Sequence, residues 1–353
     1  MPKNYEYFVA GCAFVIAPTL VHIALLSYSE TEAKPIPECM PFRGEWGENE
    51  SVSFMEDSMH PLPCGIKIIY LSIIEQKFYL VNEPLPNKEI LKLWNQSNSS
   101  SDEFMFNKII IGMSPYGGVA VWVSGYEKEV LISWIHGQEI PVGINQFLPE
   151  NPTISLSELC NFYINNDPLV KQNLETNGLP PRDLFDNYMK QFTYRYLPLF
   201  EHWDEDEEKW QPYTEEEQET QPELDYIEEA LYDGTHDKLH DGGLLNYHEA
   251  GKPKKLAVKW HIRKSEYMAY FWFEDEAIRA IFDKFYGIHL ETKTDFIIHI
   301  DPEKKKYQLS LFRYGLQEPK IIPDEAYQLI VFKNKFEQFR SENYDQPRGA
   351  WIW

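Results

Sequence analysis

The sequence predicts an α+β fold of two related modules, each an antiparallel sheet with short packed helices, in a tandem-repeat-like arrangement. The chain has 353 residues, a length typical of about two domains. Of these residues 43% are hydrophobic and 15% aromatic, which is enough apolar material for packed cores. Two stretches also share one order of predicted elements. We therefore expect an N-terminal module over residues 1–179, an acidic, aromatic-rich insert or linker over 180–251, and a C-terminal module over 252–353.

The first module is predicted to begin with two apolar strands, roughly Tyr5–Ile16 and Thr19–Ser27, on either side of a turn at Ala17-Pro18. A hairpin, a helix, three more strands and an amphipathic helix follow, and Asn87 is a suitable cap for the first helix. These later elements are expected at Ile66–Leu71, Lys77–Val81, the helix from Asn87, Lys108–Met113, Val119–Val123, Val130–Trp134 and Leu156–Ile164.

The start of the chain could be mistaken for a membrane segment or a secretion signal. Phe8–Tyr28 has no charged residue, but Pro18 and His22 interrupt it and it is barely long enough to span a bilayer. Val9–Cys12 has the form of a lipoprotein cleavage box, yet Glu6 and two tyrosines stand where an apolar signal would lie. We expect a cytoplasmic protein, with a periplasmic lipoprotein as the alternative.

The four cysteines are scattered along the chain and form no C-x-x-C pair. Such usage is typical of a reducing compartment. A bridge between Cys39 and Cys64 stays open as an alternative in an oxidising one.

The second module repeats the element order of the first. Apolar and polar residues alternate from Leu256 to Ile262, which is the pattern of a half-buried strand. The other elements are expected at Tyr267–Phe273, a helix from Asp275 to Gly287, Phe296–Ile300, Tyr307–Phe312, Ile321-Ile322 and a helix over Glu325–Arg340. Pro302 follows Pro115 by 187 residues and Gly315 follows Gly125 by 190. These offsets favour a duplication, with two unrelated stretches of similar order as the alternative.

The segment between the modules is strongly acidic. From Glu201 to Glu229 there are fourteen Asp or Glu residues and one Lys, a net charge of −13 out of −23 for the chain. Carboxylates at this density need solvent or a cationic partner, and the interleaved aromatic residues argue against full disorder. Prolines exclude one long helix, although Glu223–Leu231 could form two helical turns. Acidity for solubility alone stays open as the other interpretation.

We predict that the acidic and aromatic residues of this segment form a partner-binding surface. A basic protein is the expected partner, because the negative charge of the chain would repel nucleic acid and anionic membranes. The predicted surface consists of Trp203, Asp204, Glu205, Asp206, Glu207, Glu208, Trp210, Tyr213, Glu215, Glu216 and Glu217.

No residue pattern predicts catalysis, a cofactor or a metal. His236 and His240 would share one face of a helix and could bind a divalent ion, but Gly242-Gly243 would end that helix at once. A polar linker helix is the preferred interpretation. The chain also lacks the G-x-S-x-G elbow and the phosphate-binding loop. We therefore expect a protein that is not an enzyme and that holds no cofactor or metal.

Several motifs between residues 5 and 140 form a recognisable set. They are Leu62–Ile66, Tyr70–Ser72, Glu75–Tyr79, Leu85-Pro86, Ile111–Gly118, Val121-Trp122 and Ala17-Pro18 with the strand after it. Together they resemble a family of Gram-negative bacterial proteins of unknown function. Many members resemble lipoproteins, and some are encoded beside type VI secretion toxins. The resemblance implies an immunity protein and supplies no catalytic residues.

The resemblance and the charge together predict an immunity protein that occludes the active site of a cognate antibacterial toxin. The alternative is a chaperone or adaptor that loads such a toxin for secretion. An immunity protein would protect cells from the toxin by itself, whereas an adaptor would lower secretion without protecting them.

Overall fold

The structure is a computed structural model that describes residues 5, 7–14, 16–27, 33–36, 41–42, 46–47, 51–54, 61–97, 106–125, 128–149, 153–214, 217 and 221–333. Among these residues 48% lie in strands and 22% in helices. The α+β prediction is therefore wrong, because the fold is mostly β with few and short helices. Within the described ranges, no helix combines the length and the apolar character needed to cross a membrane.

The chain divides into two units. The N-terminal unit contains residues 1–189 and 233–235, and the C-terminal unit contains residues 190–232 and 236–353. Residues 180–251, where we expect an insert or linker, are divided between the two units rather than forming one of their own.

The described strands of the N-terminal unit are short and mostly antiparallel. They are β1 (Phe8–Ala13), β2 (Thr19–Ser27), β3 (Ala33–Ile36), β4 (Pro41–Phe42), β5 (Ser51–Phe54), β6 (Gly65–Ser72), β7 (Lys77–Pro84), β8 (Lys108–Met113), β9 (Gly118–Ser124), β10 (Glu129–His136) and β11 (Gln138–Ile140). The described helices are α1 (Asn87–Ser97), α2 (Ile144–Phe147), α3 (Leu156–Asn165), α4 (Pro168–Asn177) and α5 (Leu184–Tyr188), and a 3₁₀ turn spans Pro115–Gly117.

These strands form two layers, in the orders β11-β7-β6-β2-β3 and β10-β9-β8-β1-β5. The hairpin of β6 and β7, the helix from Asn87 and the three strands β8 to β10 lie where the sequence predicts them. Strands β1 and β2 do not pair with each other, although only a short turn separates them. Strand β1 runs parallel to β8, whereas β2 pairs with β6 in the other layer.

The main core of the N-terminal unit joins residues of both layers to helix α1. Tyr70 of β6, Ile109 of β8 and Val121 of β9 belong to one buried cluster with Ile90 and Trp94 of α1. The spacing of Ile90 and Trp94 places both side chains on one helix face, which is why this amphipathic helix packs there. A second cluster lies on the outer side of β6 and β7, where Phe147 of α2 and Leu159 of α3 cover it.

The C-terminal unit is built from strands of similar length. They are β12 (Phe192–Asp204), β13 (Lys209–Pro212), β14 (Glu223–Leu231), β15 (His236–Leu239), β16 (His248–Ala250), β17 (Pro253–Ile262), β18 (Ser265–Phe273), β19 (Thr294–Asp301), β20 (Lys306–Arg313), β21 (Lys320–Ile322) and β22 (Tyr327–Lys333). Its described helices are α6 (Asp241–Leu244) and α7 (Asp275–Tyr286), and a 3₁₀ turn spans Asp324–Ala326.

The C-terminal unit repeats the strand order of the N-terminal unit. The order β22-β18-β17-β14-β15 corresponds to β11-β7-β6-β2-β3, and β21-β20-β19-β12-β13 corresponds to β10-β9-β8-β1-β5. In each unit a parallel pair joins the first strand to the strand that follows the helix, β1 to β8 and β12 to β19. The edge strand differs, because β13 follows β12 directly as a hairpin whereas three strands separate β5 from β1.

The core contacts repeat as well. Phe282 of α7 lies 188 residues after Trp94 of α1. The ring of Trp94 contacts the ring of Tyr7 at a centroid distance of 5.8 Å, and that of Phe282 contacts Tyr194 at 6.1 Å. Tyr194 lies 187 residues after Tyr7. The two units therefore share topology and helix packing.

Two segments predicted as helices are strands. Glu223–Leu231 forms β14, in which every second residue from Ile227 is buried, because pairing with β15 and β17 outweighs its modest helix propensity. The helix predicted over Glu325–Arg340 is replaced by the 3₁₀ turn and by β22, which pairs with β18 along its whole length. Residues 334–340 of that prediction lie outside the described residues.

Candidate functional site

The acidic segment begins as a tight β-hairpin, which we call the acidic hairpin (Glu201–Pro212). Strands β12 and β13 place Trp203 opposite Trp210. At the turn, Oδ1 of Asp204 accepts hydrogen bonds from the backbone N–H groups of Asp206 at 2.9 Å and Glu207 at 3.0 Å. An aspartate that binds the backbone two and three residues ahead is a common way to close such a turn. Asp204, one of the predicted site residues, therefore closes the turn of the hairpin.

The tip of the acidic hairpin is exposed to solvent. Glu205, Asp206, Glu207 and Glu208 are all exposed. Glu207 forms an ion pair with Lys209, which offsets part of the local charge. The tip thus concentrates carboxylates on a short turn whose backbone is held by internal hydrogen bonds.

The two tryptophans anchor the base of the acidic hairpin. Trp203 and Trp210 are half-buried and meet edge to face at a centroid distance of 5.3 Å. Trp210 stacks on His299 at 4.9 Å, and its Nε1–H donates to Oε1 of Gln308 at 2.8 Å. The ammonium of Lys306 lies 5.0 Å from the ring centre of Trp203. Because both rings already have these contacts, they fix the hairpin to the C-terminal unit more than they offer a contact surface.

The turn between β19 and β20 supports the same hairpin. Buried Asp301 accepts a hydrogen bond from the backbone N–H of Trp203 at 2.7 Å. The ammonium of Lys304 donates to the carbonyl oxygen of Trp203 at 2.5 Å. These bonds hold the end of β12 in one position, so the tip is presented on a fixed base.

The remaining predicted site residues lie beyond the hairpin. The ring of Tyr213 packs against His202 at 4.1 Å, and burial raises the pKa of its phenol to about 12. Glu217 accepts hydrogen bonds from the backbone N–H and the hydroxyl of Thr214 at 2.9 and 2.7 Å, and these bonds lower its pKa. Glu215 and Glu216 lie outside the described residues. Glu217 is thus engaged in a local turn.

The carboxylates of the acidic segment, Glu201–Glu229, do not form one continuous surface. Its last four carboxylates lie on β14, and each has a histidine nitrogen within 4 Å. The pairs are Glu223 with His261, Asp225 with His261, Glu228 with His236 and Glu229 with His248. The sequence does not show that the carboxylates of β14 have different surroundings from those of the hairpin, because the histidines near them come from other strands.

The histidine pair considered for metal binding does not share a helix. His236 begins strand β15 and lies 3.2 Å from Oε1 of Glu228, while His240 follows that strand and is exposed. Among the residues that the structure describes, no group of three or more His, Cys, Asp or Glu side chains is placed to hold a metal ion.

A second candidate site lies in the N-terminal unit, at the motif Ser114–Gly118. Tyr116 has a φ of 64°, a left-handed conformation that is uncommon for residues other than glycine. Its backbone N–H donates to Oε2 of Glu75 at 2.8 Å, and its hydroxyl donates to the carbonyl oxygen of Pro180 at 2.6 Å. The other oxygen of Glu75 accepts a bond from the hydroxyl of Tyr79 at 2.8 Å. Strain held by several bonds is frequent at binding sites.

Beside Tyr116 lies a small cleft, which we call the Trp134 cleft. It has a volume of about 170 Å³ and is lined by Pro115, Tyr116, Gly118, Trp134, His136, Arg182, Phe185 and Asp186. Asp186 accepts a hydrogen bond from Nε1–H of Trp134 at 2.9 Å and lies 3.1 Å from Nε2 of His136. A Cβ atom at Gly118 would lie 2.0 Å from the indole of Trp134, so only glycine allows this packing.

The sequence predicts a turn at Ser114–Gly118 but not the cleft. One wall comes from that turn and from β10, whereas the other comes from α5, more than sixty residues along the chain from Tyr116. The sequence signal that could have indicated this site is the run of turn residues Ser114-Pro115-Tyr116-Gly117-Gly118.

Part of the chain matches a known protein family. Residues 1–179 match the profile of a family described as a protein of unknown function, DUF2931. The match ends shortly before α5. No curated protein and no solved structure matches the chain significantly.

Proposed function

The chain belongs to the DUF2931 family, and we propose that it is an immunity protein that binds a cognate antibacterial toxin of a type VI secretion system and occludes its active site. The acidic hairpin is the proposed contact surface. The proposed toxin has a basic surface around its active site, as enzymes that act on nucleic acids commonly do.

The observation that carries the proposal is the exposed acidic tip on an anchored base. Glu205, Asp206, Glu207 and Glu208 are exposed, while Trp203 and Trp210 hold the strands beneath them. A preorganised loop loses little conformational entropy on binding, so more of the interaction energy is available for affinity. Complementary charge also accelerates association with a basic partner.

The proposed site of action is the cytoplasm. The four cysteines are scattered along the chain and form no C-x-x-C pair, which is typical of proteins of a reducing compartment. An immunity protein and an adaptor could both act there, so a functional test must separate the two roles.

The first test is co-expression in a toxin-sensitive bacterium. The protein encoded by the gene immediately upstream of this chain serves as the toxin. We expect the full chain alone to restore growth. Reduced secretion of that protein without restored growth would instead support the adaptor role and contradict the proposal.

The second test reverses charge at the tip. We expect the triple variant Glu205→Lys, Asp206→Lys, Glu208→Lys to bind the same toxin at least roughly tenfold more weakly at low salt, with a smaller salt dependence. Asp204 is left unchanged because it closes the turn. Affinity is measured by calorimetry at several salt concentrations.

A matched control separates the position of the charge from its amount. Glu83, Glu175 and Glu318 are exposed carboxylates far along the chain from the hairpin, and their reversal to lysine changes the net charge equally. We expect this control to keep most of the affinity. Equal losses in both variants would show that only net charge matters, and the hairpin would no longer be the contact site.

A further inference from the structure

The size of the Trp134 cleft limits what it can bind. Its volume of about 170 Å³ is below the roughly 300 Å³ at which pockets for cofactors and drug-sized ligands begin. The cleft is therefore too small to enclose a nucleotide or a flavin. A single amino-acid side chain fits, so the cleft matches an anchoring pocket for a peptide segment.

The walls of the cleft favour an aromatic group. Phe185 is buried, and the rings of Tyr116 and Trp134 are half-buried beside it. The ring of Trp134 is held in place by Gly118 on one side and by its hydrogen bond to Asp186. Rigid aromatic walls bind planar side chains through stacked and edge-to-face contacts.

The charges at the rim favour a carboxylate. Asp186 already has the indole N–H of Trp134 and the imidazole of His136 as partners. Arg182 is exposed and lines the cleft, and its positive charge acts on the phenol of Tyr116. A guanidinium at the mouth of an aromatic cleft matches a carboxylate, which it can bind through two parallel hydrogen bonds.

We propose that the Trp134 cleft binds an aromatic side chain with an adjacent carboxylate, presented by a peptide segment of a partner protein. This site is separate from the acidic hairpin and does not rest on toxin inhibition. Tyr116, Gly118 and Trp134 lie within the residues that match the family, whereas Arg182, Phe185 and Asp186 lie beyond residue 179. The cleft therefore combines residues of the matched segment with residues of the segment that follows it.

The test uses two small ligands that differ only in charge, N-acetyl-L-tryptophan and N-acetyl-L-tryptophanamide. The full chain is labelled with 5-fluorotryptophan and observed by fluorine NMR, and Trp134→Phe identifies the signal of Trp134. We expect the carboxylate ligand to shift this signal with an affinity in the millimolar range, roughly fivefold tighter than the amide.

Substitution of the arginine then tests the charged rim. Arg182→Gln should make the two ligands bind equally, whereas Arg263→Gln, a control at another exposed arginine, should keep the preference. Three results would each overturn the proposal: no shift of the Trp134 signal, equal binding of both ligands to the unmodified chain, or a preference that survives Arg182→Gln. None of these results bears on the charge-reversal test at the hairpin.

Discussion

Single residues with unusual surroundings determine the local shape of both units. Tyr116 keeps its left-handed backbone because Glu75 and the carbonyl of Pro180 hold it from two sides. Asp204 plays a comparable part at the acidic hairpin, where it closes the turn. Lys252 is a different case, since it is fully buried and its ammonium lies 4.8 Å from the ring centre of Phe192.

Lys252 leads to a prediction about pH. Burial lowers the pKa of its ammonium to about 7. The unfolded chain therefore holds more protons than the folded chain between about pH 7 and the ordinary lysine pKa of 10.5, and stability should rise with pH across this window. We expect Lys252→Met to remove this rise and to be the more stable protein at pH 7.

The measurement is the free energy of unfolding by urea between pH 7 and 10. Lys264→Met, at an exposed lysine, is the control and should follow the unmodified chain. A variant Lys252→Met with the same pH slope as the unmodified chain would show that Lys252 stays charged in the folded state.

At the scale of elements, strand β14 carries four carboxylates that look like part of a surface patch in the sequence. In the fold each of them lies near a histidine. Glu228 and Glu229 lie on opposite faces of the strand, and histidines of β15, β16 and β17 lie within 4 Å of its carboxylates. Glu229 is buried and also accepts a hydrogen bond from the hydroxyl of Tyr196 at 2.6 Å. Glu229 is therefore not available to a partner, whereas Glu223 stays exposed beside its histidine.

The pair of His248 and Glu229 leads to the prediction at this scale. Burial lowers the pKa of His248, but the Glu229 carboxylate, 3.7 Å from Nε2, outweighs burial, so the net pKa lies above its ordinary 6.5. The stabilisation is therefore fully present below pH 6.5 and is lost as the pH rises through the folded-state pKa. We expect His248→Gln to cost more stability at about pH 6 than at about pH 9.

Urea unfolding at both pH values measures this difference, with His289→Gln as the control because His289 is exposed. If His248→Gln lowers the free energy of unfolding equally at both pH values, the charged imidazole does not contribute to stability.

At the scale of the whole molecule, one topology occurs twice. Each unit places a hairpin in one layer, a helix next, and a three-stranded meander in the other layer, with the first strand parallel to the meander. The family profile matches residues 1–179 only. The C-terminal unit therefore has the same strand order as the unit that matches the family, although the profile does not extend to it.

The repetition predicts equivalent roles for Trp94 and Phe282. Both are buried, on the same helix face, against the first strand of their unit. We expect Trp94→Ala and Phe282→Ala each to cost about 3–5 kcal/mol of stability. Hydrogen exchange followed by mass spectrometry should show lost protection mainly in strands β6 to β9 for the first variant and β17 to β20 for the second. Equal loss in both units for either variant would contradict the equivalence.

The sequence alone determined where most strands lie, because alternation of apolar residues and turn residues such as those at Ser114–Gly118 act locally. It also determined the repeated order of elements and the total charge. It did not determine the fold class, since β14 and β22 are strands only by virtue of their neighbours. Pairing partners far along the chain outweigh a local preference of a few tenths of a kcal/mol per residue.

Some features of the candidate sites are likewise visible in the sequence, whereas others are visible only in the folded chain. The consecutive carboxylates of the acidic tip are visible in the sequence, but the hairpin turn that exposes them is not predicted there. The tertiary structure alone decided that the acids of β14 lie near histidines, that Trp203 and Trp210 are anchors, and that Arg182 and Trp134 line the same cleft. Charge density is a property of neighbouring residues, whereas burial and ion pairing depend on residues that only the folded chain brings together.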